Sequence, residues 1–193
     1  MEKMKRIEEL KKEIENHIKL VNSVFTSDFF EKIVEISNLI IRSIKNGNKV
    51  LLCGNGGSAA DCQHFVGEMV NRFKKERRPL PFISLTTDTS VLTSIGNDYK
   101  FDYVFSKQVS AIGKKNDILI CFSTSGESKN IINAAKEAKK NKMKIISFTG
   151  KIPNKLEKFS DFVISIPSNQ TEKIQEIHLI TYHLLSLLIE SEF

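Results

Sequence analysis

The sequence lacks the features that would place it in a membrane or outside the cell. No apolar run is long enough to span a bilayer. The N-terminal segment M-E-K-M-K-R-I-E-E-L also lacks the apolar stretch of a signal peptide. We therefore expect a cytoplasmic protein with no membrane partner.

Cysteine is scarce, and the three that are present show no paired spacing. Cys53, Cys62 and Cys121 are odd in number, and no two of them form a C-x-x-C pair. Because Cys53 and Cys121 lie in apolar segments, we predict reduced thiols, at least two of them buried.

The charge pattern argues against a nucleic-acid-binding surface. The net charge of +6 comes mostly from lysines that are interleaved with glutamates, and no arginine-rich or aromatic-interleaved stretch is present. We interpret the lysines as a solvated surface and expect no nucleic acid partner. Their positive field would still attract phosphorylated metabolites.

Short apolar runs alternate with amphipathic segments along the chain. The runs predict five strands, at residues 50–53, 82–85, 117–122, 144–149 and 161–166. Continuous apolar runs are typical of strands covered on both faces, so we predict an α/β fold with a five-stranded parallel sheet flanked by helices on both faces. The length suits a single domain over residues 1–193, and no linker or repeat divides it.

Two helices are predicted before the first strand. Apolar residues at three- and four-residue spacing predict the first helix over residues 5–24. The second helix is predicted to start with a capping box at Asp28 and to end at a C-terminal cap on Gly47. We assign residues 1–46 to packing and oligomerisation. The last helix, over residues 171–190, is apolar almost all round, which indicates burial inside an oligomer.

A glycine-rich turn with the sequence G-N-G-G-S at residues 54–58 follows the first predicted strand. Ser58 is the predicted cap of a helix that begins at about residue 59. Such a turn exposes backbone N–H groups and lets an anion or a polar ligand approach closely. It is not the dinucleotide fingerprint G-x-G-x-x-G. A tight turn would explain the glycines alone, but we expect Asn55 to reach a ligand hydroxyl.

The segment S-T-S-G-E-S at residues 123–128 is the clearest ligand signal. It follows the third predicted strand and carries four hydroxyl groups in six residues, whereas an ordinary helix cap needs one. Hydroxyls and free N–H groups at a helix N-terminus favour phosphate binding. The absence of G-K-[ST] excludes a Walker loop.

Both segments, and a polar turn at residues 86–88, follow predicted strands. In α/β sheets ligands bind beyond the carboxyl ends of the strands, so we expect the three segments to converge on one site. Further along, G-N-D at residues 96–98 is predicted to break the chain before a helix over residues 101–112.

Polar residues on two helices could complete this site. His64 and Glu68 share one helix face, as either a metal-ligand pair or an acid/base pair would require, although such a pair alone is usually a surface contact. Gln175, His178 and His183 lie on the apolar last helix, where polar groups need partners. A lone buried histidine is more often only hydrogen-bonded, but two polar positions on one buried helix indicate a site.

Together these segments resemble the phosphoheptose isomerases, which belong to the sugar isomerase (SIS) domain superfamily. The matching segments are C-G-N-G-G-S-A-A-D at residues 53–61, H-F-V-G-E at 64–68, G-N-D at 96–98, S-T-S-G-E-S at 123–128 and I-Q-E-I-H-x-x-x-x-H at 174–183. They span nearly the whole chain. S-T-S-G alone marks the superfamily, whereas its combination with H-x-x-x-E and Q-E-I-H marks this branch.

The resemblance implies a homotetramer with active sites shared between subunits and one zinc ion per subunit. The zinc ligands would be His64, Glu68, Gln175 and His183, with weak binding because glutamine is a poor zinc ligand. The sugar phosphate would contact Asn55, Gly56, Gly57, Ser58, Glu68, Arg72, Asn97, Asp98, Ser123, Thr124, Ser125, Ser128, Glu172 and Gln175. Glu172 departs from the aspartate of relatives, and its carboxylate reaches further.

The expected activity is a ketose–aldose isomerase that converts sedoheptulose 7-phosphate into D-glycero-D-manno-heptose 7-phosphate. The reaction moves a proton between C1 and C2 through an enediol(ate), with Glu68 as the expected base and His183 as the expected acid. Its product would feed heptose synthesis for lipopolysaccharide or capsule. Two alternatives stay open. One is a non-catalytic SIS-domain regulator of the replication-initiator-binding type, and the other is an isomerase for another sugar phosphate.

Overall fold

The structure, a computed structural model, describes residues 2–193 and places helices on both faces of one parallel sheet, as predicted. The helices are α1 Glu2–Val24, α2 Ser27–Lys45, α3 Gly57–Val70, α4 Thr89–Asp98, α5 Ser106–Ile112, α6 Lys129–Lys140 and α7 Thr171–Glu190. The strands are β1 Val50–Cys53, β2 Phe82–Ser84, β3 Ile118–Ser123, β4 Lys144–Thr149 and β5 Phe162–Ser165. Short 3₁₀ turns lie at Phe101–Tyr103 and Glu157–Phe159. Within residues 2–193, none of the helices combines the length and apolar character that a membrane crossing requires.

The sheet has the strand order β2-β1-β3-β4-β5, and each neighbouring pair is parallel. Every residue of β1 and β3 is buried, which explains their continuous apolar sequences. The chain leaves β1 for β2 on one side and returns to β3 on the other. The loops after β1 and β3 therefore separate at the carboxyl edge of the sheet and leave a crevice, where ligands bind in folds of this kind.

Each face of the sheet packs on its own set of helices. Apolar side chains of α2, α3 and α7, such as Ile40, Phe65 and Ile177, cover one face. The other face packs against α5 and α6 through residues such as Val109 and Ala135. Because α3 and α7 lie on the same face, polar residues on these two helices can meet.

The helices α1 and α7 differ in how far their apolar side chains are buried within the chain. Half of the 20 residues of α7 are buried within its own chain, and Leu187, at 42%, is its most exposed large apolar residue within residues 2–193. Its apolar sequence is therefore explained by burial in its own chain. By contrast, α1 buries only Val24 and leaves Leu10, Ile14 and Ile18 52–69% exposed.

Several predicted boundaries were wrong. The helix α2 begins at Ser27, so Asp28 lies in its first turn, near the positive end of the helix dipole, and no capping box forms. Ser58 lies inside α3, because Gly56 takes the N-cap position with a positive φ. Residues 96–98 end α4 instead of breaking the chain before a helix, and the region 101–112 divides into a 3₁₀ turn and α5.

All three cysteines are buried and carry free thiols, as predicted. Cys53 and Cys121 pair across β1 and β3, with 3.8 Å between their sulfur atoms. Burial raises the pKa of the Cys53 and Cys62 thiols, so the reactive thiolate form is disfavoured.

Candidate functional site

A cavity of about 270 Å³ lies in the crevice between the ends of β1 and β3. It is lined by Asn55, Gly56, Gly57, Ser58, Phe122, Ser123, Thr124, Ser128, Thr171 and Gln175. The structure thus brings the glycine turn and the S-T-S-G-E-S segment together, as predicted. The 86–88 turn does not join them, because Thr87 and Asp88 line a separate groove between α4 and α5.

The glycine turn is fitted closely to the first turns of α7. Gly56 has a φ of 54°, a conformation that glycine adopts without strain. A Cβ atom on Gly57 would lie 2.7 Å from the side-chain amide of Gln175. The same amide donates a hydrogen bond of 3.3 Å to the hydroxyl of Ser58. The small residues of this turn therefore let Gln175 reach the wall of the cavity.

Asn55 is held by a residue that the sequence analysis did not select. The side-chain amides of Asn55 and Asn130 donate to each other's oxygens, at 3.0 and 2.8 Å. Asn130 is buried in the first turn of α6. Since Asn55 lines the cavity, this pair fixes the position of its amide and ties the turn after β1 to α6.

The S-T-S-G-E-S segment is an ordered loop at the start of α6. The hydroxyl of Ser123 accepts a hydrogen bond from the N–H of Gly126 at 3.1 Å, and that of Ser125 accepts one from the N–H of Glu127 at 3.1 Å. Ser128 occupies the N-cap of α6, yet its hydroxyl makes no capping hydrogen bond. In the first turn of α6, the N–H of Ile131 donates to the side-chain oxygen of Asn130 at 3.0 Å. The loop therefore presents hydroxyls beside a helix N-terminus that Ser128 does not cap, a combination suited to an anion.

A second group of polar residues lies where α3 and α7 pack together. The Nε2 atom of His64 is 3.0 Å from Oε1 of Glu68 and 3.4 Å from Nε2 of His183. The three residues offer ligand atoms that all lie within 4.8 Å of one another. The His64/Glu68 pair is thus completed by a histidine of the last helix, and all three residues belong to one chain.

This cluster of His64, Glu68 and His183 fits a zinc ion. Tetrahedral zinc with ligands at about 2.0–2.2 Å places neighbouring ligand atoms about 3.3–3.6 Å apart, close to the 3.0 and 3.4 Å that separate Nε2 of His64 from Glu68 and His183. Two imidazoles and a carboxylate are also a donor set that zinc prefers. Burial, and then the neighbouring His64, lower the pKa of His183, which favours the neutral imidazole that a metal requires.

Tyr182 supports His64, and Asp61 lies near both residues. The hydroxyl of Tyr182 lies 3.0 Å from Nδ1 of His64, and the tautomer with hydrogen on Nδ1 leaves Nε2 free for a metal. Burial, and then the nearby carboxylate of Asp61, raise the pKa of Tyr182, so its hydroxyl stays protonated. Burial raises the pKa of Asp61 itself to about 6, although His64 and Tyr182 oppose this shift. Asp61, His64 and Glu68 share one face of α3, a spacing that could have revealed Asp61 from the sequence.

Comparison with known proteins agrees with the motifs and the fold. The chain matches the SIS domain family over residues 5–150. It belongs to this family. A phosphoheptose isomerase of a Nitratiruptor species is 47% identical over 187 residues, which cover 97% of this SIS-domain chain and 100% of the relative. Phosphoheptose isomerase 1 of Campylobacter jejuni is 44% identical, with 95% and 98% covered.

Two solved structures of phosphoheptose isomerases extend the match to the whole fold. That from Francisella tularensis superposes with a TM-score of 0.92 at 35% identity and covers 96% of this chain and 98% of its own. That from Neisseria gonorrhoeae gives a TM-score of 0.89 at 39% identity, with 95% and 98% covered. The chain therefore belongs to the phosphoheptose isomerase branch of the SIS domain family, which confirms the resemblance drawn from its motifs.

Not all predicted site residues meet within this SIS domain. Gln175 lies eight residues before His183 on α7, an axial distance of about 12 Å, and bonds to Ser58. Its place as a fourth metal ligand stays a prediction. The predicted substrate residues Arg72, Asn97, Asp98 and Glu172 are exposed and do not line the cavity. Arg72 pairs with Glu76, the side chain of Asn97 bonds to that of Asp98, and Glu172 lies at a groove between α1 and α7.

His178, the third polar residue of α7, belongs to the core. It is fully buried against Phe122 and Phe148, and its Nε2 atom lies 3.2 Å from the carbonyl oxygen of Thr149. Burial lowers the pKa of His178 to about 4. It is therefore the neutral, hydrogen-bonded core histidine that the sequence analysis weighed against a site residue.

Proposed function

We propose that this chain is a ketose–aldose isomerase that converts sedoheptulose 7-phosphate into D-glycero-D-manno-heptose 7-phosphate. The reaction proceeds through an enediol(ate) and serves heptose biosynthesis for lipopolysaccharide or capsule. The names of relatives that match nearly the full chain support this assignment. A phosphorylated intermediate of this kind accords with the cytoplasmic location expected from the sequence.

One observation carries the proposal: the helix pair α3 and α7 joins the cavity to the His64, Glu68 and His183 cluster. Ser58 on α3 and Gln175 on α7 line the cavity. Further along the same two helices lie the cluster residues, at axial distances of about 9 Å from Ser58 to His64 and about 12 Å from Gln175 to His183. A sugar phosphate bound in the cavity can therefore extend along the helix pair toward these residues.

The proposed chemistry uses Glu68 and His183 as its proton-handling groups. Glu68 is half-buried, lies within hydrogen-bond distance of His64, and takes the proton that moves between C1 and C2. The neutral form of His183, favoured by its lowered pKa, donates a hydrogen bond through its ring N–H to the sugar oxygens. His183 thus keeps the predicted role of acid, and its neutral ring N–H supplies the proton, because burial disfavours the imidazolium. Each group would contribute roughly 10²–10⁴-fold to the rate.

We propose zinc as the cofactor, one ion per subunit, held by His64, Glu68 and His183. Gln175 of the same chain lies about 12 Å from His183 along α7, so the predicted fourth ligand, Gln175, would have to come from a neighbouring subunit. The distances within the cluster and its donor set support this assignment. A bound zinc would polarise the sugar carbonyl and stabilise the oxyanion that develops on it.

We propose a homotetramer whose active sites are shared between subunits. The exposed apolar side chains of α1, among them Leu10, Ile14 and Ile18, support this assembly. Exposed apolar surface of this kind marks a protein–protein contact, because its burial against another subunit is favourable. Arg72, Asn97, Asp98 and Glu172 would then act at the site of a neighbouring subunit. Light scattering should give four times the 21.9 kDa chain mass, and a fully active, stable monomer would contradict the shared site.

The test of the activity is incubation with sedoheptulose 7-phosphate followed by assay for the aldose. Glu68→Gln keeps the shape of the side chain but removes the base, so turnover should fall by at least about 10²-fold. Glu35→Gln, an equivalent change at an exposed position on α2, is the control and should keep wild-type turnover. Near-normal turnover of Glu68→Gln would remove Glu68 from the mechanism.

The same assay separates the enzyme from a non-catalytic SIS-domain regulator. A regulator could keep the S-T-S-G-E-S loop without the cluster, whereas this chain has both. Binding of the sugar phosphate without formation of the aldose would favour the regulator. Turnover of a different sugar phosphate only would favour the third possibility, an isomerase of another specificity.

A further inference from the structure

A second polar cavity adjoins the candidate active site. Its volume is about 260 Å³, and it is lined by Thr124, Ser125, Lys151, Ser168, Asn169, Thr171 and Ile174. Thr124 and Thr171 also line the first cavity, so the two spaces meet at these hydroxyls. The second cavity therefore extends the site on the side of the S-T-S-G-E-S loop.

Among residues 2–193, Lys151 is the one positively charged residue that lines either of these two cavities. Among the same residues, its ammonium group has no carboxylate within 4.0 Å, and neither wall contains an acidic residue. The loop that would hold a phosphate supplies hydroxyls and N–H groups but no positive charge of its own. Its one acidic residue, Glu127, pairs with Lys155 at 2.6 Å, which neutralises the nearest negative charge.

The segment that carries Lys151 is fastened to the same loop. The N–H of Gly150 donates to the carbonyl of Thr124 at 3.0 Å, and the N–H of Leu156 donates to the carbonyl of Gly126 at 3.0 Å. Between these two points, the side-chain amide of Asn154 donates to the carbonyl of Lys151 at 3.2 Å. Asn154 also packs against Gly126, where any Cβ atom would overlap it. The backbone of Lys151 is thus positioned beside the hydroxyl loop.

We propose that Lys151 is a specificity residue that contacts the phosphate group of the substrate from the second cavity. This inference rests on the proposed function and extends it, because it names the positive charge that distinguishes a phosphorylated sugar from a neutral one. A charge-assisted hydrogen bond from an ammonium group to a phosphate oxygen is stronger than one from a neutral donor. The cavity lined by Lys151 reaches α7 at Ile174, which lies about 13–14 Å along the helix axis from His183. Lys151 should therefore act on binding and not on the chemical step.

The test compares steady-state kinetics of Lys151→Met, Lys151→Arg and the wild type with sedoheptulose 7-phosphate. Lys151→Met should raise KM about tenfold and leave kcat within about twofold, since the lost interaction stabilises ground state and transition state alike. Lys151→Arg keeps the charge and should restore KM to within about threefold of the wild type. Lys139→Met, which removes an exposed lysine at the far end of α6, is the matched control and should behave as wild type.

An unchanged KM in Lys151→Met, or an equal rise in Lys139→Met, would overturn the inference. Binding of inorganic phosphate, measured as the rise in the thermal unfolding midpoint, tests it without turnover. If the wild type does not isomerise the sugar phosphate, the proposed function fails. A phosphate-induced rise that is lost in Lys151→Met and kept in Lys139→Met would then still support the role of Lys151. An equal rise in all variants, or none in the wild type, would refute it.

Discussion

Acidification should unfold this protein partly through His178, and the size of the effect follows from its burial. The folded-state pKa is about 4, lowered from the ordinary 6.5 because the ring is fully buried between aromatic side chains and the carbonyl of Thr149. Between pH 6.5 and pH 4, His178 is protonated in the unfolded chain but stays neutral in the folded chain. The stabilisation is therefore complete above pH 6.5 and is lost as the pH falls toward 4.

The expected magnitude is about 3 kcal/mol, since about 2.5 pKa units correspond to about 1.36 kcal/mol each. Asp61 acts in the opposite direction. Its raised folded-state pKa, about 6, means that the folded state binds a proton first as the pH falls. The wild-type curve alone would therefore understate the effect of His178, and a comparison between variants is needed.

The assay is urea unfolding of wild type, His178→Gln and His178→Leu between pH 7 and pH 4, at one fixed protein concentration. Each replacement changes the packing and so shifts the stability at every pH, but neither side chain titrates. Between pH 7 and pH 4, the free energy of unfolding of the wild type should fall by about 3 kcal/mol more than that of either variant. The difference should have the same pH dependence for both variants. Parallel curves for all three proteins would refute the argument that burial disfavours protonation of His178.

Three further predictions concern the site. Gly57→Ala should change the free energy of unfolding by less than about 1 kcal/mol, because the gain in helix propensity offsets the displaced amide of Gln175. It should nevertheless lower kcat/KM about tenfold or more. An unchanged kcat/KM would show that the contact between Gly57 and Gln175 does not matter for activity. Ser125→Ala combined with Ser128→Ala should raise KM for the phosphorylated sugar, and an unaltered KM would exclude the loop as the phosphate site. His183→Ala should lose both activity and zinc measured by elemental analysis, and active wild-type enzyme free of divalent metal would leave His183 a proton-handling role only.

Much of the fold followed from local sequence patterns. The bounds of β4 and α7 agree with the predicted residues 144–149 and 171–190, because a continuous apolar run and a long helical period are each determined by neighbouring residues. The glycine turn and the hydroxyl-rich loop were also predicted to meet, since strand ends of a parallel sheet share one edge. The ends of several helices were predicted less accurately. The pattern predicts Ser58 as the cap, whereas Gly56, with its positive φ, occupies that position and the helix starts earlier.

What only the tertiary structure decided is which distant residues touch. The sequence alone marked His64 and Glu68 as a pair and His183 as a candidate, but the packing of α3 on α7 brings the three together and leaves Gln175 at the cavity. Likewise, the apolar pattern of α7 does not reveal which neighbour covers it. The structure shows that its own chain buries half of the helix's residues, whereas α1 buries only Val24. Helical periodicity specifies a buried face but not its neighbour, because the neighbour depends on contacts between residues far apart in the chain.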